Sequence, residues 1–315
     1  MKTNNVIEVK NLSIDFRTDD GVVHAVKNIS FSIPRGKTVG LVGESGSGKS
    51  VTSLAVMGLL PTPPAKVVSG EILLDGEDLL KVPEPRLRDL RGNRMSMIFQ
   101  EPMTSLNPVF TIGDQICETL IRHQGLNKKQ ALARAIELMD QVGIPDPAER
   151  VNMYPHNLSG GQRQRVMIAM AIACNPDLLI ADEPTTALDV TIQKQILDLL
   201  ADLQAKYGMS LLFITHDLGV VADIADEVLV MYRGDIVERG TTKELFENPK
   251  HPYTKGLLAC RPSLDESPRR LPTLADFMAE DGTEKTQKEK APSLHKAAPA
   301  SDEGRVLLEI KDLKT

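Results

Sequence analysis

The residues Gly43-Glu44-Ser45-Gly46-Ser47-Gly48-Lys49-Ser50 follow the spacing G-x-x-x-x-G-K-[ST], which builds a cradle for phosphate. Its glycines let the backbone curl so that successive N–H groups face phosphate oxygens, and a helix opening at its end adds a favourable dipole for an anion. Lys49 is placed to grip β- and γ-phosphates, Ser50 offers a hydroxyl to Mg²⁺, and Val51 directly follows in the nucleotide-contacting run. Farther along, Leu178-Leu179-Ile180-Ala181 is an apolar run that ends in two acids, Asp182 and Glu183. Asp182 is suited to orient Mg²⁺ through its water shell, and Glu183 to polarise a water for in-line attack on the γ-phosphorus. A solvated turn or a helix cap is the ordinary alternative for paired acids at a strand end, and the phosphate loop upstream argues against it.

A second anion-binding device lies between these two. Leu158-Ser159-Gly160-Gly161-Gln162 precedes a helical run and combines a backbone nest with a helix N-terminus. One phosphate tail does not need both devices. Two domains that sandwich ATP, each giving its phosphate loop to one nucleotide and Ser159, Gly160, Gly161 and Gln162 to the other, is the economical reading. A guanine-binding N-K-x-D string is absent, since Asn127-Lys128-Lys129-Gln130 lacks the acid.

The elements that must position these groups read as α/β. Residues 6–16 and 25–33 alternate apolar and polar side chains around an Asp20-Gly21 turn, which predicts antiparallel strands. Thr38 to Val42 is a short buried-type strand, and residues 49–60 carry helical periodicity. A helical insertion is expected over 112–143, with Leu132, Ala135, Ile136 and Met139 on one face of a 128–142 helix. Apolar runs at 178–181, 210–214 and 226–231 then alternate with helical stretches at 190–206 and 217–225, the rhythm of a parallel sheet.

With 315 residues, 41% of them apolar, the chain can bury a sizeable core, and its net charge of -6 gives no basic footprint for nucleic acid or anionic lipid. No run approaches the ~20 apolar residues that cross a bilayer, and the first ten residues lack a signal-peptide core. Membrane contact is therefore expected through protein partners. Cys117, Cys174 and Cys260 are too few and too scattered to suggest a disulfide framework or a metal cluster. After residue 258 the composition turns polar and proline-rich, which predicts a linker, partly disordered, over 259–304. Residues 306–314 echo 6–13, so 305–315 is expected to be the first strand of a second nucleotide-binding domain, or a tail.

From about residue 6 to 258 the chain resembles the nucleotide-binding subunit of ABC transporters, with every motif in the family's order. The resemblance implies a RecA-like mixed sheet with an antiparallel β-subdomain and an inserted helical subdomain. It implies that Gln100 senses the γ-phosphate, helps to hold the metal and faces a transmembrane partner. It also makes His216 a switch histidine at the γ-phosphate and Asp189 a residue that communicates across the dimer. Phe16 is the candidate for stacking on adenine, although a core strand residue is the other reading. Segments 99–116 and 248–259 look like the branch that imports peptides, glutathione or nickel complexes. The resemblance then implies a 1–258 ATPase domain with ATP and Mg²⁺ as cofactors, working at the cytoplasmic face of the membrane. Its partners would be a second nucleotide-binding domain, two permease subunits and, indirectly, an extracytoplasmic solute-binding protein. A soluble ABC ATPase acting in translation, repair or chromosome handling is the alternative.

Overall fold

The computed structural model describes residues 4–101, 105–186, 188–260, 273–278 and 311. Two antiparallel strands, β1 (Asn5–Thr18) and β2 (Gly21–Pro34), join β4 (Ala65–Leu74) and β5 (Glu77–Asp78) in a four-stranded sheet ordered β2-β1-β4-β5. The second sheet contains β3 (Thr38–Val42), β6 (Met95–Ile98), β7 (Leu178–Asp182), β8 (Ser210–Thr215), β9 (Glu227–Tyr232) and β10 (Asp235–Thr241). Its order is β10-β9-β3-β8-β7-β6, parallel throughout except for β10, which pairs antiparallel with β9 at the edge. Every residue of β3, β7 and β8 is buried, as a parallel sheet covered on both faces requires. The mixed sheet and the antiparallel β-unit match the expected architecture. Strands β4, β5 and β10 are additions to the sequence reading.

Helix α1 (Lys49–Val56) follows β3 and is shorter than the expected 49–60. Gly58 turns left-handed at φ 64, its N–H donates to Ala55 O, and the Leu59 N–H donates to Leu54 O at 2.8 Å, which closes the helix. Helix α2 (Glu84–Leu90) precedes β6. The helical insertion is α3 (Ile112–Gln124), α4 (Lys128–Gln141) and α5 (Pro147–Arg150). Thr111 caps α3, and Asn127 with Gln130 forms a capping box at the start of α4. The inward face of α4 is Ala131, Ala135, Leu138 and Met139, whereas Leu132 is 40% exposed. The expected stripe is thus rotated by about one residue, because the two alanines let neighbouring helices approach closely and bring Leu138 inward. Next come α6 (Gly160–Ile172), α7 (Val190–Tyr207), α8 (Leu218–Ile224), α9 (Thr242–Glu247) and α10 (Pro252–Ala259).

The chain divides into two compact units, 1–254 and 255–315. Within the second, the described residues include the short helix α11 (Leu274–Phe277). Most of the expected 259–304 linker and, apart from Lys311, the expected 305–315 strand lie outside the described residues.

Two features fix the central sheet. At the N-terminal ends of its strands, Arg94 bonds Asp177 through Nε at 2.7 Å and Asp75 through Nη2. Arg35 pairs with Asp75 and lies 3.8 Å from Asp177, so one cluster of four charges ties the turn before β3 and the approaches to β6 and β7 to the end of β4. In the core, Gly40 of β3 faces α8 so closely that a Cβ would stand 2.5 Å from Val221 Cγ1. Gly40→Val is expected to lower unfolding stability by about 1–3 kcal/mol through overpacking, measured by urea denaturation. Wild-type stability in that variant would contradict such close contact.

Candidate functional site

The phosphate loop runs from the end of β3 into α1, and its shape is held from outside. A Cβ on Gly43 would lie 2.1 Å from Met231 O and 2.8 Å from Ser47 Oγ, so only glycine fits there. The Gly234 N–H, in the turn between β9 and β10, donates to Ser47 O at 2.9 Å. The Glu44 N–H donates to the Tyr253 hydroxyl at 2.8 Å. Gly48 at φ 107 is the N-cap of α1 and supplies no side-chain cap, so no side chain of the cap position takes the first amides of this helix. Lys49 is 4% exposed and donates to Gly43 O at 2.7 Å and Glu44 O at 2.8 Å. Burial pulls the Lys49 ammonium below the usual lysine range, against the opposing pull of Glu183, Asp182 and Glu44.

Asp182 ends β7 and is 4% exposed. Its Oδ1 accepts from Ser50 Oγ at 3.2 Å and its Oδ2 from Ser53 Oγ at 3.3 Å. Burial pushes its carboxyl above the usual range, the neighbouring Glu183 charge adds to this, and the serine bonds and Lys49 oppose it. Glu183 stands next in the chain in a left-handed backbone conformation, φ 46, while its N–H donates to Ile214 O at 2.9 Å. A non-glycine residue held there stores local strain that the flanking pairing must over-determine. That turn aims the Glu183 carboxylate at its neighbours. Its Oε2 accepts from Gln100 Nε2 at 3.1 Å and Thr186 Oγ1 at 2.9 Å, and His216 Nδ1 lies 3.3 Å from the same oxygen. Gln100 follows β6 and His216 follows β8, so the carboxyl ends of adjacent parallel strands converge on one acid.

The structure therefore brings together Gly43 to Ser50, Asp182, Glu183, Gln100 and His216. Val51 lies on α1 and packs against the hydrophobic core. Ser159, Gly160, Gly161 and Gln162 form a different place. Ser159 caps α6, accepting from the Gln162 N–H at 3.3 Å while its own N–H donates to Gln162 Oε1 at 3.1 Å. Gly161 approaches α7, where its Cβ would lie 3.1 Å from Ile192 Cγ2. Asp189 caps α7 through a 2.9 Å bond from the Ile192 N–H. Phe16 is half-buried in β1, paired in register with Val23 and Ala65, and packs on the core. Sequence reasoning missed Ser53, Thr186 and Tyr253. The first two stand three residues beyond Ser50 and Glu183, at one-turn spacing, whereas nothing in local sequence points from Tyr253 to a loop more than two hundred residues away.

Comparison with known proteins agrees with this fold. A family model described as ABC transporter matches residues 26–186, and one described as oligopeptide/dipeptide transporter, C-terminal region, matches residues 237–296. The oligopeptide transport ATP-binding protein OppD of Bacillus subtilis is 56% identical over 267 residues, covering 85% of this chain and 75% of that protein. A putative peptide import ATP-binding protein of Brucella melitensis is 55% identical over 272 residues, covering 85% of this chain and 80% of the relative. Among solved structures, the dimeric post-hydrolysis state of the ATP-binding cassette MJ0796, bound to ADP and Pi, superimposes with a TM-score of 0.67. It is 28% identical and covers 75% of this chain and 98% of that one. The chain belongs to the ABC transporter family, as one of its ATP-binding, ATP-hydrolysing cassettes.

Proposed function

We propose that this cassette powers import of peptides or related small solutes, hydrolysing ATP at a composite site shared with a second nucleotide-binding domain. The convergence of Gln100, Thr186 and His216 on Glu183 beside the phosphate loop carries the reading of the chemistry. The peptide-transport names of the relatives support the choice of solute, and they leave the non-transport alternative without support. Residues 1–258 form the ATPase domain in this proposal, 259–304 a linker, and 305–315 the beginning of a second such domain or a tail.

Each group has a part. The loop Gly43 to Ser50 and the α1 N-terminus bind the phosphates, through amides other than that of Glu44, and Lys49 turns its ammonium from the loop carbonyls to the β- and γ-phosphates. Gln100, Ser159, Gly160, Gly161 and Gln162 contact nucleotide, the last four from the opposite domain, and Asp189 relays between domains. Phe16 stacks on adenine. Ser50, Asp182 and Gln100 would hold Mg²⁺, a hard ion for which their oxygen donors fit. The 3.2 Å Ser50–Asp182 contact, which brings a hydroxyl and a carboxylate oxygen to one place, supports that assignment. When bound, the metal screens phosphate charge. Glu183, its Oε2 held by three neighbours, takes the water's proton as the oxygen bonds to the γ-phosphorus and the bridge to ADP breaks. His216 stabilises the transferring phosphoryl group.

A groove of about 260 Å³ between α1, β6 and α6 is lined by Met57, Leu59, Phe99, Met167 and Met170. Phe99 adjoins Gln100, and Val109 and Phe110 nearby in the chain are 71% and 52% exposed. An apolar surface continuous with the γ-phosphate sensor suits a helix of a permease subunit. Among the described residues no helix is long and apolar enough to cross a membrane. In this proposal the cassette works at the cytoplasmic face, bound through the permease, with solute delivered by an extracytoplasmic binding protein.

Glu183→Gln is expected to lower turnover by at least about a hundredfold with ATP affinity kept. Its native mass in Mg·ATP is expected to double from 34.5 kDa. Near-normal hydrolysis would remove Glu183 from the role of base, and a monomer with bound ATP would show that a distinct partner domain is needed.

Asp182 yields a pH-dependent prediction. Its folded pKa is raised, so the stability linked to its proton is fully present below the unfolded value of about 3.9 and is lost as pH rises through the folded value. At pH 7.5 the ionised carboxylate is a burden on the nucleotide-free protein. Asp182→Asn should therefore raise the melting temperature at pH 7.5, with a gain that shrinks toward pH 4, while turnover is lost. A lower melting temperature at pH 7.5 would contradict this.

A further inference from the structure

Tyr253 is 0% exposed and begins a segment that the reaction described above does not use. Its ring packs against Tyr232 with centroids 4.4 Å apart, and its hydroxyl accepts the Glu44 N–H at 2.8 Å. The segment that carries it is itself fastened. Glu238 of β10 accepts the N–H groups of Lys250 at 2.7 Å and His251 at 2.9 Å, and the Tyr253 N–H donates to His251 Nδ1 at 3.2 Å. The residue on the loop side is equally placed. Glu44 receives Tyr253 at its amide, while its carbonyl and that of Gly43 accept from Lys49. One peptide therefore links a buried phenol to the ammonium that meets phosphate.

We infer that Tyr253 is a positioning residue for the ATP site, setting the first turn of the phosphate loop and through it the carbonyls that hold Lys49. The inference rests on the reading of Gly43 to Ser50 as the phosphate cradle. It gives the stretch matched by the oligopeptide/dipeptide transporter C-terminal region a duty at the nucleotide, because Glu238 and Tyr253 both fall within 237–296. Burial pushes the Tyr253 phenol above the usual tyrosine range, so the hydroxyl stays neutral at physiological pH. Within the loop the Ser47 N–H donates to Glu44 O at 3.2 Å, and a further hold on the first turn has to leave the remaining amides to phosphate. Tyr253 meets that need by occupying the Glu44 amide alone.

The test uses the full chain. Tyr253→Phe keeps the ring and removes the hydroxyl, and it is expected to raise the Kd and KM for Mg·ATP about three- to tenfold, the range for one lost hydrogen bond. The kcat at saturating ATP should stay within about twofold, since the bonds to Glu183 are untouched. Tyr232→Phe, which removes the other hydroxyl of the ring pair, should bind as wild type. Unchanged Kd and KM in Tyr253→Phe, or an equal rise in both variants, would overturn the inference. Lys49→Ala separates the underlying reading: wild-type ATP binding there would sink the phosphate cradle itself. If Tyr253→Phe does not fold, amide exchange in the nucleotide-free wild type decides. The Glu44 amide should exchange more slowly than those of Ser45 and Gly46, and equal rates would remove the bond.

Discussion

A loop that offers its backbone amides to phosphate has few of them to spend on its own shape, and here the Ser47 and Glu44 N–H groups are the ones so used. Buried N–H groups must find partners, and on the proposed reading the partner of the others is the ligand, so the scaffold holds the loop largely by other means. The carbonyls do much of this, with Lys49 bridging Gly43 O and Glu44 O and the Gly234 N–H reaching Ser47 O. Steric confinement does more, since Gly43 lies against Met231 O at a distance that no side chain tolerates. The strands β3 and β9, paired in parallel, place that carbonyl. The order of the central sheet is thus a requirement of the loop.

Electrostatics sharpen the same point. Lys49 and Asp182 are each pushed by burial toward their neutral forms, yet both stay near opposite charges that resist the push. On the proposed reading, such a site would gain from a polyanion and a cation entering together. Glu183 adds a backbone cost, being left-handed where the chain leaves β7. The pairing of its N–H with Ile214 O supports that geometry from the next strand. Strain and buried charge sit together at the strand ends where the proposed chemistry takes place.

Much of this was legible in the sequence because the phosphate loop, the acid pair and the apolar runs are local signals. The strand–loop–helix order around Gly43 to Ser50 and the strand ending at Asp182 follow from periodicity alone. Helix α1 was overread because Leu59 and Leu60 continue an apolar rhythm that Gly58 interrupts. The α4 stripe was misjudged because alanine carries little hydrophobic signal, although it decides how closely helices approach. Gln100 and His216 were named through family resemblance, since neither residue type announces its role without the strand order that gathers them on Glu183. Thr186 and Tyr253 were missed for the same reason in stronger form: a hydroxyl that orients a functional group looks like any other.

The four-charge cluster of Arg35, Asp75, Arg94 and Asp177 sits at the opposite end of the parallel strands from Glu183 and Lys49. It clasps the turn before β3, the entrances to β6 and β7 and the antiparallel sheet at the end of β4, with side chains only 15–31% exposed. The two sheets are therefore joined at that base by side-chain charge pairs. Because Asp75 is shared by Arg35 and Arg94, loss of that one carboxylate would unlink both arginines from the antiparallel sheet at once.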